Sequence, residues 1–456
     1  MNIKFKARIM PLVLALVVAF AALSATVIYA DPNDKDKGKD GDKIDKCRSN
    51  IGKGSDKGDK GHDRNAPISL LHVITIPGNP VTSADISWVD NCAGTDRYYF
   101  ADRSNFGVDI IDAEKEVYVG RVSGMAGNLP SGGGTAVTNG PGPNGVLVTP
   151  NRKLWAGDGN STTQVADVNP DSPTYLSIIG SANTSISACD DGTNHYCGRA
   201  DELGYDPEHN VILIANPGPL SVTAPHASVD PYATFISADP PYTVLGHIIL
   251  TGAGGAEQPL WDPELHRFFL TVPGKIVSGV IVTPASIKII NTKTMMIESS
   301  RVLDCNALAG VTSVATTGEA LGEGQRQIVS ACGQPIIFNA VDGSLIKVIT
   351  QVGGGDEVWA DLDNDHFYVT GPDTEVPAVQ SLGVIDTETS TWLQNVADVR
   401  GKNPAAFEET NHVFTIVQIN AAIAAAPATD NSICATSFGF KGTGCVAVFG
   451  SQDQDH

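Results

Sequence analysis

The sequence predicts an all-β fold, a seven-bladed β-propeller with four-stranded blades, over residues 67–456. Three observations support this prediction. One strand pattern recurs seven times, two further strand patterns recur equally often, and the unmatched strands at the two ends of the series complete each other.

The most regular pattern is an apolar alternation that ends in paired apolar residues and a turn residue. Its seven copies occupy 106–112, 162–168, 232–239, 285–291, 334–340, 381–387 and 445–450. Most copies are followed by a short polar turn, which is typical of a β-hairpin. Each copy is therefore predicted to be one strand of a hairpin.

Two more strands flank this pattern in each repeat. One precedes it, at 98–102, 153–157, 211–216, 268–272, 327–331, 367–371 and 413–417. The other follows the turn, at 116–122, 174–180, 242–250, 294–302, 344–350 and 391–397, with a seventh copy at 70–78. With the strand that begins each repeat, these make four strands per blade.

The copy at 70–78 comes before the first blade, and the strand at 445–450 has no partner after it. We predict that these two strands pair, because a ring closed in this way has no weak seam between its first and last blades. A parallel β-helix or tandem β-sandwiches would also repeat, but neither explains this circular offset of strands.

Residues 1–30 have the layout of a secretory signal peptide. Lys4, Lys6 and Arg8 precede a long apolar run, and small residues lead to Ala30, after which we expect cleavage. The run is long enough to span a bilayer, so a retained membrane anchor is the alternative. Residues 31–66 contain ten basic and nine acidic residues and no aromatic residue, and are predicted to be a disordered tether. The expected location is secreted or periplasmic.

The predicted propeller is strongly acidic, with 17 basic and 42 acidic side chains. This charge argues against nucleic acid and an anionic membrane as partners. Eight cysteines in an exported chain indicate disulfides. Eight cysteines allow 105 connectivities, and proximity favours Cys189–Cys197, Cys305–Cys332 and Cys434–Cys445, which leaves Cys47 to pair with Cys92.

The innermost strands carry the candidate site. Each ends at an aligned turn position, and the residue five positions earlier bears a side-chain oxygen in six blades: Asp85, Asn144, Asp201, Glu257, Asp356 and Asn403. The fifth blade offers Gly310. The symmetry of a propeller would bring these six groups towards the mouth of its channel, where crowded carboxylates need protons or a cation. Hard oxygen ligands of this kind suit one divalent cation, calcium or magnesium. Polar groups that only cap strands or line a wet channel are the alternative.

With its repeats aligned, the chain resembles the YVTN and NHL group of propellers, a resemblance that implies fold and leaves activity open. Three local segments are similar to those of regucalcin and gluconolactonase, which are metal-dependent propeller hydrolases. These segments are GGAEQPLWDPELHRFFLTV, GPNGVLVTPNRKLWAGD and ADELGYDPEHNVILIAN. The resemblance implies Glu257 and Asn144 as metal ligands, and Asp201 as a ligand and general base. The glutamate segment comes fourth here rather than first, that family has six blades, and Glu202 replaces its glycine.

Two functions follow as hypotheses. The first is an extracytoplasmic scaffold, a monomer that binds a small molecule or macromolecule with its loops, among them the insertion at 217–230. The alternative is a divalent-metal-dependent hydrolase of lactones or esters, with Asp201 as the catalytic base and the site at the channel mouth.

Overall fold

The computed structural model describes residues 66–91, 94–126, 142–159, 161–189, 197–218 and 229–451. The predicted signal peptide, nearly all of the predicted tether, Cys47, Cys92 and most of the 217–230 insertion lie outside these ranges. The predicted Cys47–Cys92 disulfide therefore stays a prediction. Within the described residues, no helix is both long enough and apolar enough to cross a membrane.

The chain forms seven antiparallel four-stranded sheets, which confirms the predicted fold class. In the described part of the chain, the first strand is β1 (Ile68–Ile74). The first three blades follow it: β2 (Ala84–Val89), β3 (Arg97–Asp102), β4 (Gly107–Asp112) and β5 (Val117–Ser123); β6 (Val146–Thr149), β7 (Lys153–Asp158), β8 (Thr162–Asp167) and β9 (Ser177–Asn183); and β10 (Leu203–Asp206), β11 (Val211–Asn216), β12 (Tyr232–Ser237) and β13 (Val244–Ile249).

The fourth blade contains an added hairpin, β16 with β17, between its second and third strands. Its strands and those of blades five to seven are β14 (Pro259–Asp262), β15 (Arg267–Val272), β16 (Lys275–Val277), β17 (Val280–Thr283), β18 (Ala285–Asn291) and β19 (Met296–Leu303); β20 (Thr316–Gly322), β21 (Arg326–Ala331), β22 (Gln334–Asn339) and β23 (Leu345–Val348); β24 (Val358–Asp361), β25 (His366–Pro372), β26 (Gln380–Asp386) and β27 (Thr391–Ala397); and β28 (Gly401–Phe407), β29 (His412–Val417) and β30 (Cys445–Ser451).

Among the described residues, three short α-helices lie in the connections: α1 (Cys305–Ala309), α2 (Ala421–Ala425) and α3 (Ile433–Phe438). Single 3-10 turns occupy Glu323–Gln325 and Pro427–Thr429. The helix α1 begins at Asp304, whose carboxylate accepts hydrogen bonds from the Asn306 and Ala307 amides, and it ends at Gly310 with φ of 67°. This is ordinary helix capping, with an acceptor at the start and a left-handed residue at the end.

The ring closes as predicted, because β1 pairs antiparallel with β30 and supplies the fourth strand of the seventh blade. The pair carries a register shift between Leu70 and His72, and the third and fourth strands of the other six blades carry a similar shift. The strand from the N-terminal side therefore takes the place of an ordinary fourth strand. It ends at Ile74 rather than at the predicted residue 78, before Pro77, which has no amide hydrogen for a ladder.

The apolar core lies between the blades. The third strands are almost wholly buried, as in β4, whereas the fourth strands alternate between exposed and half-buried residues, as in β9. The contact between the last and first blades is aromatic: the rings of Phe414 and Tyr98 stack with their centroids 5.0 Å apart. Both side chains are fully buried. Their contact adds aromatic stacking to the hydrogen-bonded closure of the ring.

Three disulfides confirm the predicted pairs Cys189–Cys197, Cys305–Cys332 and Cys434–Cys445. All three lie in connections at one end of the blades, where each innermost strand begins. We call this end the loop face. It also carries the β16–β17 hairpin, the segment 304–315 with α1, and the segment 418–444 with α2 and α3. The turns at the opposite end, such as 207–210, 263–266 and 362–365, are short.

Candidate channel-mouth site

The innermost strands of the seven blades contact one another in a closed ring. Successive contacts join β2 to β6, β6 to β10, β10 to β14, β14 to β20, β20 to β24, β24 to β28, and β28 back to β2. Each strand begins at the loop face. Residues at equivalent positions near the starts of these strands therefore surround one axis.

A β-bulge places two consecutive residues at the channel in six blades, and in the sixth blade Asp356 and Glu357 stand directly before the first ladder pair, Val358 with Val369. In the third blade, the Asp201 amide donates to the Ala215 carbonyl, while the Ala215 amide donates to the Glu202 carbonyl. Asn144 with Gly145, and Glu257 with Gln258, repeat this arrangement in the second and fourth blades. Register shifts mark the same place in the first, fifth and seventh blades. Because a bulge sets two residues against one on the partner strand, both side chains turn towards the same region.

The first residues of these pairs form what we call the mouth ring: Asp85, Asn144, Asp201, Glu257, Thr317, Asp356 and Asn403. The second residues form the channel tier: Ile86, Gly145, Glu202, Gln258, Gly318, Glu357 and Pro404. The structure thus brings the six predicted site residues to one equivalent position.

The seventh blade follows the predicted alignment: Lys402 pairs with Ile416 and Ala405 pairs with Phe414, so Asn403 stands in the mouth ring and Pro404 follows it in the channel tier. The fifth blade differs from the prediction. In the fifth blade, Glu319 pairs with Val329, which places Thr317 in the mouth ring. The residue expected there, Gly310, instead ends α1.

The glycines of the channel tier allow neighbouring blades to approach closely. A Cβ atom on Gly145 would lie 2.4 Å from the Cα atom of Glu202. A Cβ atom on Gly318 would lie 2.7 Å from the Cα atom of Glu357. Both glutamates therefore depend on a glycine in the preceding blade for their position.

Cationic side chains of this protein occupy one side of the mouth. The Arg103 guanidinium contacts the Asp85 carboxylate and donates from Nη2 to Asn144 Oδ1 at 2.6 Å. Arg199 Nε donates to Asp201 Oδ2 at 2.7 Å. Lys402 Nζ lies 3.6 Å from Asp356 Oδ2 and 3.8 Å from Asp85 Oδ1. The oxygens of Asp85, Asn144 and Asp201 thus already have partners within the protein.

The carboxyl groups of the site fall into two sets, one whose pKa is lowered by nearby cations and one whose pKa is raised. Burial opposes ionisation of Asp85, but Arg103, Lys402 and Arg199 outweigh it and hold its pKa below the ordinary value. Burial raises the pKa of Glu202 well above its ordinary value, and the nearby Glu257 carboxylate raises it further. Burial and neighbouring carboxylates also raise the pKa of Glu257 and Glu357 well above the ordinary value. The mouth therefore has an arginine-compensated side and an uncompensated acidic side.

Buried polar atoms without partners lie in both the channel tier and the mouth ring. Glu202 is 4 % exposed, and its Oε2 atom has no hydrogen-bond partner among the described residues. Asn403 is fully buried, and its Oδ1 and Nδ2 atoms are likewise without partners there. Glu357 differs, because its Oε2 accepts a hydrogen bond of 3.2 Å from the Ser87 amide.

Below the channel tier, two tryptophans meet across the ring. The rings of Trp88 and Trp359, from the first and sixth blades, lie edge to face with centroids 5.4 Å apart. The seventh blade, between them, has only Ala406 at the equivalent position, which leaves room for both rings. This pair obstructs the channel, so the acidic side of the mouth faces the loop face.

The residues do not fit the predicted metal centre well. Within the described ranges, no group of three or more His, Cys, Asp and Glu side chains is arranged to hold a metal ion. Arg103 and Arg199 already engage the predicted ligands Asp85, Asn144 and Asp201. The metal-ligand roles of Asp85, Asn144, Asp201, Glu257, Asp356 and Asn403, and the catalytic role of Asp201, remain predictions.

A cleft of ≈ 420 Å³ adjoins the mouth on the loop face. Its lining includes Gln380, Arg400, Lys402, Gln418 and Asn431. Lys402 lines the cleft, and its ammonium group lies beside Asp85 and Asp356 of the mouth ring. Arg400 Nε donates to Asn431 Oδ1 at 3.1 Å, which holds the guanidinium at the cleft wall. The cleft thus offers guanidinium, ammonium and amide groups beside an acidic mouth.

Comparisons with known proteins support the fold alone. The sequence matches no protein-family model and no curated protein. Many solved structures match, among them a chain of the "Crystal Structure of Mitotic Checkpoint Complex", with a TM-score of 0.52 and 11% sequence identity. That match covers 77% of this chain and 90% of the other. It is a propeller neighbour, whereas the resemblances to the YVTN and NHL group and to regucalcin and gluconolactonase remain unconfirmed.

Proposed function

We propose that this protein is an exported scaffold that binds its ligand on the loop face, over the channel mouth. The observation that carries the proposal is the placement of Lys402, which lines the cleft and whose Nζ atom lies 3.6 Å from Asp356 Oδ2 in the mouth ring. The cleft and the mouth therefore form one continuous polar surface. The cleft volume falls in the range of ligand sites, about 300–1,000 Å³.

The loop face also has the shape of a binding surface. The long insertions lie there, on a rigid ring of strands, which is how many folds present variable binding loops. Several exposed apolar side chains stand on these loops, including Val282 at 56%, Val376 at 96% and Phe440 at 41% exposed. An apolar rim around a charged centre suits a small molecule or a macromolecular ligand.

Export is supported by the three disulfides, which persist in oxidising compartments. The acidic composition agrees with a ligand other than nucleic acid. We propose that the propeller acts as a monomer, held at a distance by the tether or released by cleavage near Ala30.

A capture experiment with matched variants tests this proposal. The purified protein is immobilised through residues 31–66 and incubated with material from its native surroundings. The loop-face double variant Arg400→Ala/Val282→Asp is compared with Arg267→Ala/Met296→Asp, which makes the same changes at the opposite end. A species bound by the wild type and the control but lost from the loop-face variant supports the proposal. Capture of nothing, or equal loss from both variants, contradicts it.

A divalent-metal-dependent hydrolase is the second candidate. The uncompensated carboxylates of Glu202, Glu257 and Glu357 favour it, because a cation would relieve their repulsion. In that case Glu257 and Asp356 would hold the ion, and the ion would polarise a carbonyl group. Calorimetric titration of chelator-stripped protein with calcium and magnesium tests it. Absence of binding, or binding unchanged by Glu257→Gln and Asp201→Asn, would exclude this function.

A further inference from the structure

The acidic side of the mouth has more carboxyl groups than cations to balance them. Six carboxyl groups lie in the mouth ring and channel tier: Asp85, Asp201, Glu202, Glu257, Asp356 and Glu357. Three cationic groups stand among them, Arg103, Arg199 and Lys402. Full ionisation would leave three negative charges uncompensated, which a buried site does not tolerate without protons or a bound cation.

Glu202 is the buried group at the centre of this imbalance. Glu202 is the second residue of the third-blade bulge, so its side chain faces the channel. Its carboxylate interacts electrostatically with Glu257 in the next blade and with Asp356 and Glu357 across the channel. Its Oε2 atom nevertheless lacks a partner among the described residues, and a buried carboxylate oxygen without a partner costs about 1–3 kcal/mol. A ligand with hydrogen-bond donors would remove this cost.

The protein's own cations show which kind of cation this ring accommodates. On the compensated side, one guanidinium bridges Asp85 and Asn144, and another donates twice to Asp201. A planar guanidinium group and an ammonium group both bind carboxylates through hydrogen bonds. The donor–acceptor distances of these bonds are longer than the distances between a coordinated metal ion and its ligand oxygens. The described carboxylates do not converge closely enough for a metal ion, and this geometry suits such hydrogen-bonding cations.

We propose that the acidic side of the mouth binds an organic cation, a primary ammonium or guanidinium group, between Glu202, Glu257 and Asp356. The cation enters from the loop face, where Asp356 is 41% exposed, and the Trp88–Trp359 pair closes the channel below. Its source is either a free amine or a lysine or arginine side chain of a partner. The inference rests on the proposed function and names the chemistry of the ligand.

Calorimetry with defined probes tests the inference. Butylammonium and methylguanidinium chloride represent free cations, the peptides Gly-Lys-Gly and Gly-Arg-Gly represent side chains, and calcium chloride represents a metal ion. We expect at least one organic probe to bind the wild type, with Glu202→Gln weakening it tenfold or more. Glu319→Gln is the matched control, because Glu319 is also buried but interacts with Gln327 and Arg301 outside the channel.

The probes distinguish the two sources. Binding of both free cations and peptides indicates a site for the cationic group alone, whereas binding of the peptides only indicates a partner's side chain. Binding unaffected by Glu202→Gln, or no binding of any organic probe, overturns the inference. Tighter binding of calcium than of every organic probe also overturns it, in favour of a metal site.

The capture experiment depends on Arg400 and Val282 instead, so the proposed function can survive a failure of the calorimetric test.

Discussion

Glu319 should make the protein less stable as the pH rises, and Glu319→Gln should remove this effect. The side chain is fully buried in the fifth blade. Its Oε2 accepts from Gln327 Nε2 at 2.5 Å, and its Oε1 has no partner among the described residues. Burial raises its pKa from 4.5 to about 8, although Gln327 and Arg301 oppose this change.

The raised pKa fixes the sign of the effect. Between pH 4.5 and about 8, the folded state holds one proton that the unfolded state has released. The stabilisation from that proton is complete below pH 4.5 and is lost as the pH rises through 8. The two pKa values differ by about 3.5, which sets an upper limit of about 5 kcal/mol at 1.36 kcal/mol per pKa unit. We expect about 2–4 kcal/mol, because a real interior relaxes around a buried charge.

Urea unfolding of the wild type and Glu319→Gln at pH 5 and pH 8.5 measures this effect. The two proteins should differ by less than about 1 kcal/mol at pH 5, since a neutral carboxyl group and an amide have similar shape and polarity. At pH 8.5 the variant should be the more stable. Glu298→Gln is the control, because Glu298 is at the surface beside Arg267 and its pKa is lowered rather than raised. A difference between wild type and Glu319→Gln that is the same at both pH values would refute the reasoning.

Two further predictions concern the disulfides and the closure of the ring. Replacement of Cys305 and Cys332 by alanine should lower the free energy of unfolding by about 3–4 kcal/mol, because the bridge closes a loop of 27 residues. Urea unfolding measures this free energy, and a decrease of less than about 1 kcal/mol would contradict a stabilising role of the disulfide. Glu116→Gln should lower the free energy of unfolding by about 1–2 kcal/mol at pH 6. Although burial opposes ionisation of Glu116, hydrogen bonds with His412 and His72 lower its pKa to about 2. The effect should shrink as the pH falls from 4.5 towards 2, and a cost that does not change with pH would contradict the assignment.

The sequence was sufficient to predict the propeller because each strand type recurs in every blade. The closure was predictable for the same reason, since 70–78 has the pattern of a fourth strand. Its limits were less predictable: the pairing begins at Ile68 and ends at Ile74. Hydrophobic alternation identifies a strand, but the ladder ends where Pro77 and Gly78 interrupt the backbone pattern.

The mouth ring was predictable where an acidic turn residue marks the register. In the seventh blade, alignment on Glu408 gave Asn403, and the pairing of Ala405 with Phe414 agrees with that register. The fifth blade has no acidic turn residue as a marker, and its predicted residue, Gly310, lies at the end of α1 rather than in the mouth ring. The acidic doublets Asp201–Glu202 and Asp356–Glu357 were a usable signal for the channel tier, because a bulge directs both residues to the channel.

The compensating cations could not be predicted from the repeats. Arg103 lies in a connection of the first blade, Arg199 follows the Cys189–Cys197 disulfide, and Lys402 directly precedes the bulge of the seventh blade. Each cation occurs in one blade only, so no periodic pattern marks it. Only their three-dimensional placement shows that four of the six predicted metal ligands already have a cationic partner.

Hydrogen–deuterium exchange of the protein with and without the species that it captures tests the proposed binding surface most directly. Binding on the loop face predicts slower exchange of the backbone amides in 250–258, 353–357 and 398–403, which surround the mouth and the cleft. The opposite-face turns 207–210, 263–266 and 362–365 should exchange as before. Protection confined to those turns or to the outer strands, with the mouth unchanged, would contradict the proposed function.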